Sequence, residues 1–154
     1  GFGLHCWHNC NRLTISNNLS FNNGGGIVVG QGDSPNFGRV AADDMIVSNN
    51  IVIDNRDTGI AEEGVTGRRN RFLNNIVFDN GGDRQIVLRT GTEYGTITAD
   101  PRLVDYRSDG SGDYRLRADS PGIDAGTEVG APSTAIDGTA RPLGRGYDIG
   151  PYER

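Results

Sequence analysis

From Leu13 the chain reads LTISNNLSFNNGGGIVV, from Met45 MIVSNNIVIDNRDTGIA and from Asn70 NRFLNNIVFDNGGDRQIVL. In all three stretches short apolar runs are broken at fixed offsets by asparagine. The second Asn of each doublet falls at Asn18, Asn50 and Asn75, and Asn23, Asn55 and Asn80 follow five residues later. Between them sit Leu19/Phe21, Ile51/Ile53 and Ile76/Phe78. After a short polar turn come Ile27/Val29, Ile60 and Ile86/Leu88, and GLHC, with Leu4 and Cys6, repeats that strand one unit earlier. The spacing is 32 and then 25 residues, the excess lying in QGDSPNFGRVAADD. A polar tract that keeps register in this way is not disordered.

Period-2 strands of about three to five residues, joined by turns and repeated at this interval, predict a solenoid in which each apolar column stacks on its equivalent about 4.8 Å away. The apolar–x–apolar pieces supply the inward columns. Neither a six-residue period nor the nonapeptide Gly-Gly-x-Gly-x-Asp is present. Parallel crossovers are right-handed, so the expected fold is all-β: a right-handed parallel β-helix of about three to four coils. Asparagine tolerates the left-handed backbone of a sharp corner, and stacked amides bond from coil to coil. The doublets are thus predicted to be corner pieces and an asparagine ladder, not a ligand site.

Composition divides the 154 residues in two. All 14 Asn lie at or before Asn80, whereas Pro101, Pro121, Pro132, Pro142 and Pro151 punctuate the rest and forbid long central strands. Residues 1–91 read as coils and 92–154 as a C-terminal cap. In the cap Leu103/Val104, Tyr114/Leu116, Ile123 and Ile149/Tyr152 are placed to cover open strand edges on the last coil. A net charge of −5, with no basic run, excludes a nucleic-acid footprint. No apolar stretch reaches membrane-spanning length, and no signal peptide is visible. Every basic residue is arginine. Cys6 and Cys10 would lie roughly 13 Å apart on one straight strand, so pairing them requires a bend.

The asparagine coils resemble the pectate-lyase-like superfamily of right-handed parallel β-helices. The tail strings ADPRLVD (99–105), DYRLRADSPGIDAG (113–126), DGTARP (137–142) and GYDIGPYE (146–153) resemble the C-terminal segment of many bacterial β-helix proteins. Such tails occur on polysaccharide lyases, glycosidase-like proteins and chains of unknown function, so the resemblance implies fold more firmly than activity. It also implies a bacterial secreted or cell-surface setting. The N-terminal coil shows no matching cap. Either further coils of a longer β-helix or a second copy is expected to cover it, and a homodimer stacked through the first coils is the expected assembly.

By that resemblance the strand after the longer polar turn corresponds to the sheet whose outer face holds the family's substrate cleft. Its columns read His5, Val28, Ala61, Val87, then Trp7, Gly30, Glu63, Arg89, then His8, Gln31, Gly64, Thr90. His5, Trp7, His8, Gln31 and Glu63 are thus expected substrate contacts, with Trp7 and Arg89 as a sugar-stacking and carboxylate-binding surface. Ordinary surface residues are the competing reading.

A second column aligns Asn22, Asp54 and Asp79. Carboxylates one coil apart, roughly 5 Å, suit a retaining glycosidase pair or, with Asp57 and Asp83, a shared Ca²⁺. In a lyase the ion would acidify the proton beside a uronate carboxylate, and Arg84 or Arg89 would abstract it. The catalytic set is then Asp54, Asp79, Arg84 and Arg89, and the metal set Asp54, Asp57, Asp79 and Asp83. Against this, both Asp are also turn residues able to bond local backbone N–H groups.

HCWHNC offers four capable Zn²⁺ ligands (His5, Cys6, His8, Cys10), but strand alternation points Cys6 in and His5 out, which favours core or edge roles. Glu62 falls on an inward column, so either its strand ends early or it pairs with Arg68 or Arg69. The expected function is recognition of an extended polysaccharide, with or without catalysis. The alternative is a non-catalytic structural or assembly module.

Overall fold

The computed structural model describes residues 1–7, 10–31, 41–83 and 85–154. Among them every regular element is a strand: β1 (Phe2–Cys6), β2 (Thr14–Ser16), β3 (Leu19–Phe21), β4 (Gly25–Gln31), β5 (Ile46–Ser48), β6 (Ile51–Ile53), β7 (Ile60–Gly64), β8 (Arg71–Leu73), β9 (Ile76–Phe78), β10 (Ile86–Val87), β11 (Thr92–Tyr94), β12 (Leu103–Asp105) and β13 (Asp113–Leu116). The first eleven form three parallel sheets, ordered β1-β4-β7-β10, β2-β5-β8-β11 and β3-β6-β9. Each sheet takes one strand from each repeat, an arrangement compatible with a parallel β-helix. β12 and β13 form an antiparallel pair.

The register follows the repeats. Leu4, Ile27, Ile60 and Ile86 are successive partners, as are Ile15, Val47 and Phe72. Ile27, Val29, Val47, Ile60 and Phe72 form one core cluster with Met45, Val52 and Val77.

In the third sheet the expected columns are inverted. Val52 and Val77, not Ile51/Ile53 and Ile76/Phe78, join the inner core, and Ser20 is in register with them. Ile51, Ile53 and Ile76 face the other way and pack with Leu103, Leu116 and Ile149 of the tail. The tail therefore covers an outward sheet face and gives these strands apolar surroundings on both sides.

The two asparagines of each doublet do different work. The first (Asn17, Asn49, Asn74) takes the left-handed backbone, with φ of 56°, 55° and 49°. Its side chain holds the tail: Asn17 Nδ2 donates to the carbonyls of Asp148 and Gly150, Asn49 Nδ2 to Thr127 O, and Asn74 Nδ2 to Ala125 O. The second faces inward and makes the ladder. Asn18 Nδ2 donates to Asn50 Oδ1 at 3.0 Å, and Asn50 Nδ2 to Asn75 Oδ1 at 2.9 Å. A parallel ladder runs from Asn23 through Asn55 and Asn80 to Gln85.

The first ladder stops where the asparagine stops. Gly95 (φ 71°) takes the place of Asn74, and Thr96 follows it in register with Asn75. Thr96 Oγ1 is buried without a hydrogen-bond partner. Thr96→Val keeps the shape and removes the orphan hydroxyl, so the melting temperature should hold or rise by about 1–3 °C; a fall of similar size in calorimetry would count against this account.

Cys6 and Cys10 form a disulfide, so the bend their pairing requires is present: β1 ends at Cys6, and the two Cα atoms lie 5.9 Å apart.

Candidate functional site

The corner that carries Asn22, Asp54 and Asp79 also uses left-handed backbone, with φ of 53°, 51° and 52°. That conformation turns the three side chains outward and leaves them exposed. Successive corners are bonded through the backbone, Asn22 N to Asp54 O at 2.9 Å and Asp54 N to Asp79 O at 3.2 Å. The two aspartates are thus stacked one repeat apart, as their alignment predicts. Between them and the tail lies a cleft of about 400 Å³ lined by Asp54, Asp79, Asp100, Arg102, Tyr106 and Arg117.

Tyr106 donates its hydroxyl to Asp54 Oδ2. Its ring packs edge-on to Phe21, which also stacks on Tyr114 with centroids 5.2 Å apart. Across the cleft, Asp119 pairs with Arg102 (3.0 Å) and Arg117 (3.7 Å). Nothing in the sequence pattern marks Tyr106, Arg102 or Arg117, because their relation to Asp54 runs over about fifty residues and depends on how the tail lies.

Burial, then the bond to Asp54 and its negative charge, raise the Tyr106 phenol above its ordinary value. For a group whose folded pKa is raised, stability is fully present below the unfolded value, about 10, and is lost as pH rises through the folded one. Tyr106→Phe should therefore delete the highest-pH component of the phenolate absorbance titration. Asp54→Asn should move that component down without bringing it to the ordinary value. A titration curve unchanged in Tyr106→Phe would contradict the assignment.

The other expected residues are not gathered here. Asp57 Oδ1 accepts the N–H of Thr58 at 2.8 Å, a local turn bond, and Asp83 is exposed. Among the described residues no group of three or more His, Cys, Asp or Glu side chains is placed to hold a metal ion. The disulfide occupies both sulfurs of HCWHNC, which removes the thiolates a zinc site would use. Arg84, His8 and the side chain of Gln31 lie outside the described residues.

On the first sheet the column His5, Val28, Ala61, Val87 is in register as expected. His5 meets Phe2 and Trp7 edge-on, both with ring centroids 4.6 Å apart. Glu63 is half-buried opposite Gly30. Trp7 and Arg89, however, follow β1 and β10, the opposite edges of a four-stranded sheet. Three strand spacings, roughly 14 Å, separate those edges, so no joint surface forms.

Glu62 is the buried acid that the column pattern singled out. It is 2 % exposed and pairs with neither Arg68 nor Arg69; Arg69 bonds Asp43 and Asp44 instead. Glu62 Oε2 accepts the backbone N–H groups of Arg89, Thr90 and Gly91 at 2.7–2.9 Å, and Oε1 accepts Asn70 Nδ2. The carboxylate thus satisfies the turn after β10, a structural role. Glu62→Gln sets an NH₂ group against N–H donors and should cost about 2 kcal/mol in urea unfolding; a wild-type midpoint would refute this.

Comparison of the chain with family models, with curated proteins and with solved structures finds no match.

Proposed function

We propose that this chain is a right-handed parallel β-helix of the pectate-lyase-like kind, with a structural role and no catalysis of its own. The observation that carries this reading is that acidic groups the repeat brings forward are already engaged: Tyr106 donates to Asp54, and the backbone N–H groups of residues 89–91 donate to Glu62. Asp57 is likewise taken up by a local bond, from the Thr58 N–H. The Cys6–Cys10 disulfide suits an oxidising, extracytoplasmic setting. Incubation with a broad polysaccharide panel, with and without Ca²⁺, should release neither reducing ends nor unsaturated uronate and should leave the melting temperature unchanged. Product formation that Asp54→Asn abolishes would overturn the reading.

A further inference from the structure

The stacked sheets change character at their last rung. In the second sheet the inward column runs Ile15, Val47, Phe72 and then meets Glu93. In the third, Val52 and Val77 are followed by Thr98, one residue beyond the Ile76–Ile97 bridge. At the corner between these sheets the asparagine ladder ends on Thr96. Phe72 and Val77 have no exposed surface, whereas Glu93 and Thr98 are exposed. Among the described residues no ion pair involves Glu93. The tail does not cover this end. After Ile97 the chain leaves the stack, and its apolar side chains pack on the outward face of the third sheet. Among the described residues β10 and β11 are paired on one side only, and Tyr94, beside Glu93, is 74 % exposed.

We infer that the last rung is a built stop: Glu93 and Thr98, standing where the inward columns call for apolar side chains, keep a second copy of the chain from adding its own last rung to this end. Every copy carries the same edge, so the occupant to be kept off is the chain itself, edge meeting edge about a two-fold axis. Such a pairing would enclose Glu93 between Phe72 and the second copy's inward column. A carboxylate enclosed there without a cation or N–H donors is far costlier than an apolar side chain, and the Thr98 hydroxyl would lose its water in the same way. β10 and β11 are also short, two and three residues, which leaves few backbone bonds to offset that cost. In the first sheet the inward column stays apolar, Ile86 following Ile60, so the stop lies in the other two columns.

Glu93→Val combined with Thr98→Val restores both columns. In hydrogen exchange followed from micromolar to millimolar protein, this variant should gain protection at 92–98 as concentration rises, and the wild-type chain should gain none there. Sedimentation should show the variant self-associating at least about tenfold more tightly than wild type. Thr92→Val adds apolar bulk to the same strand on the outward column, in register with Arg71, and should behave as wild type. Protection of β5 and β8 shows that a variant has folded. Should the double variant not fold, Glu93→Gln, which keeps the shape and removes the charge, should give the same change to a smaller extent. Unchanged exchange at 92–98 in whichever of these variants folds would overturn the inference. So would equal association of Thr92→Val, or a wild-type chain whose residues 92–98 are already protected as concentration rises. None of these outcomes depends on whether the chain acts on a glycan.

Discussion

Replacing Asn50 with alanine should lower the thermal midpoint by about 10–15 °C, corresponding to a loss of about 4 kcal/mol. Asn50 has no exposed surface. Its Oδ1 accepts the backbone N–H and Nδ2 of Asn18, its Nδ2 donates to Ile15 O and Asn75 Oδ1, and its own N–H meets Asn75 Oδ1. Truncation keeps only the last of these bonds. It strands the part-buried Asn18 N–H above and the Ile15 carbonyl beside it, each costing up to about 1–3 kcal/mol, and leaves a void besides. Asn49→Ala is the informative comparison. That change removes the bonds to Thr127 and frees the tail rather than the sheets, so hydrogen exchange should rise at 122–130 while the three sheets stay protected. A midpoint for Asn50→Ala within 2 °C of wild type, by calorimetry, would mean that the ladder is decoration.

The contrast between neighbouring asparagines also marks how far the repeat is readable in advance. The interval of 32 and 25 residues follows from the Asn doublets, and with it come the ladder and the register of the first sheet. Each of those depends on residues within one or two repeats. Which face of the third sheet is inner does not follow, because Ile51-Val52-Ile53 and Ile76-Val77-Phe78 are apolar throughout. Alternation cannot be read where the tail buries the second face as well. Leu19-Ser20-Phe21 misleads outright, since the serine is the inward residue.

The candidate site was legible to the same depth. Asp54 above Asp79 comes out of the repeat register, and both side chains turn outward because the corner is left-handed. Their partner Tyr106 lies in a segment with no period, and no spacing rule reaches it. Trp7 and Arg89 fail in a related way. Columns can align across a sheet while its two edges remain about 14 Å apart, so alignment of position is not proximity. The cysteines add a local case: a strand that ends at Cys6 undoes a separation computed for a straight one.

The tail that escaped the repeat logic has an ionic core of its own, and there Glu153→Gln should cost about 3–5 kcal/mol. The side chains of Arg141 and Glu153 have no exposed surface and pair at 2.7 Å. Burial pushes the Arg141 guanidinium below its ordinary value, against the opposing pull of Glu153 and Asp148. Its remaining donors reach the carbonyls of Asp148, Gly150 and Tyr152, while Nε finds no partner. A neutral glutamine leaves that cation buried without its counter-charge. Two of the same carbonyls, Asp148 O and Gly150 O, also receive Asn17 Nδ2. Loosening the pair should therefore release the tail from the first repeat, and exchange at 146–152 should quicken first. Changing both partners together, Arg141→Met with Glu153→Leu, removes the charge along with its need for a partner and should cost clearly less than either single change. Urea unfolding of the singles and the double separates the cases: if the double is as damaged as the sum of the singles, the two side chains act independently and the buried pair is not what holds the tail.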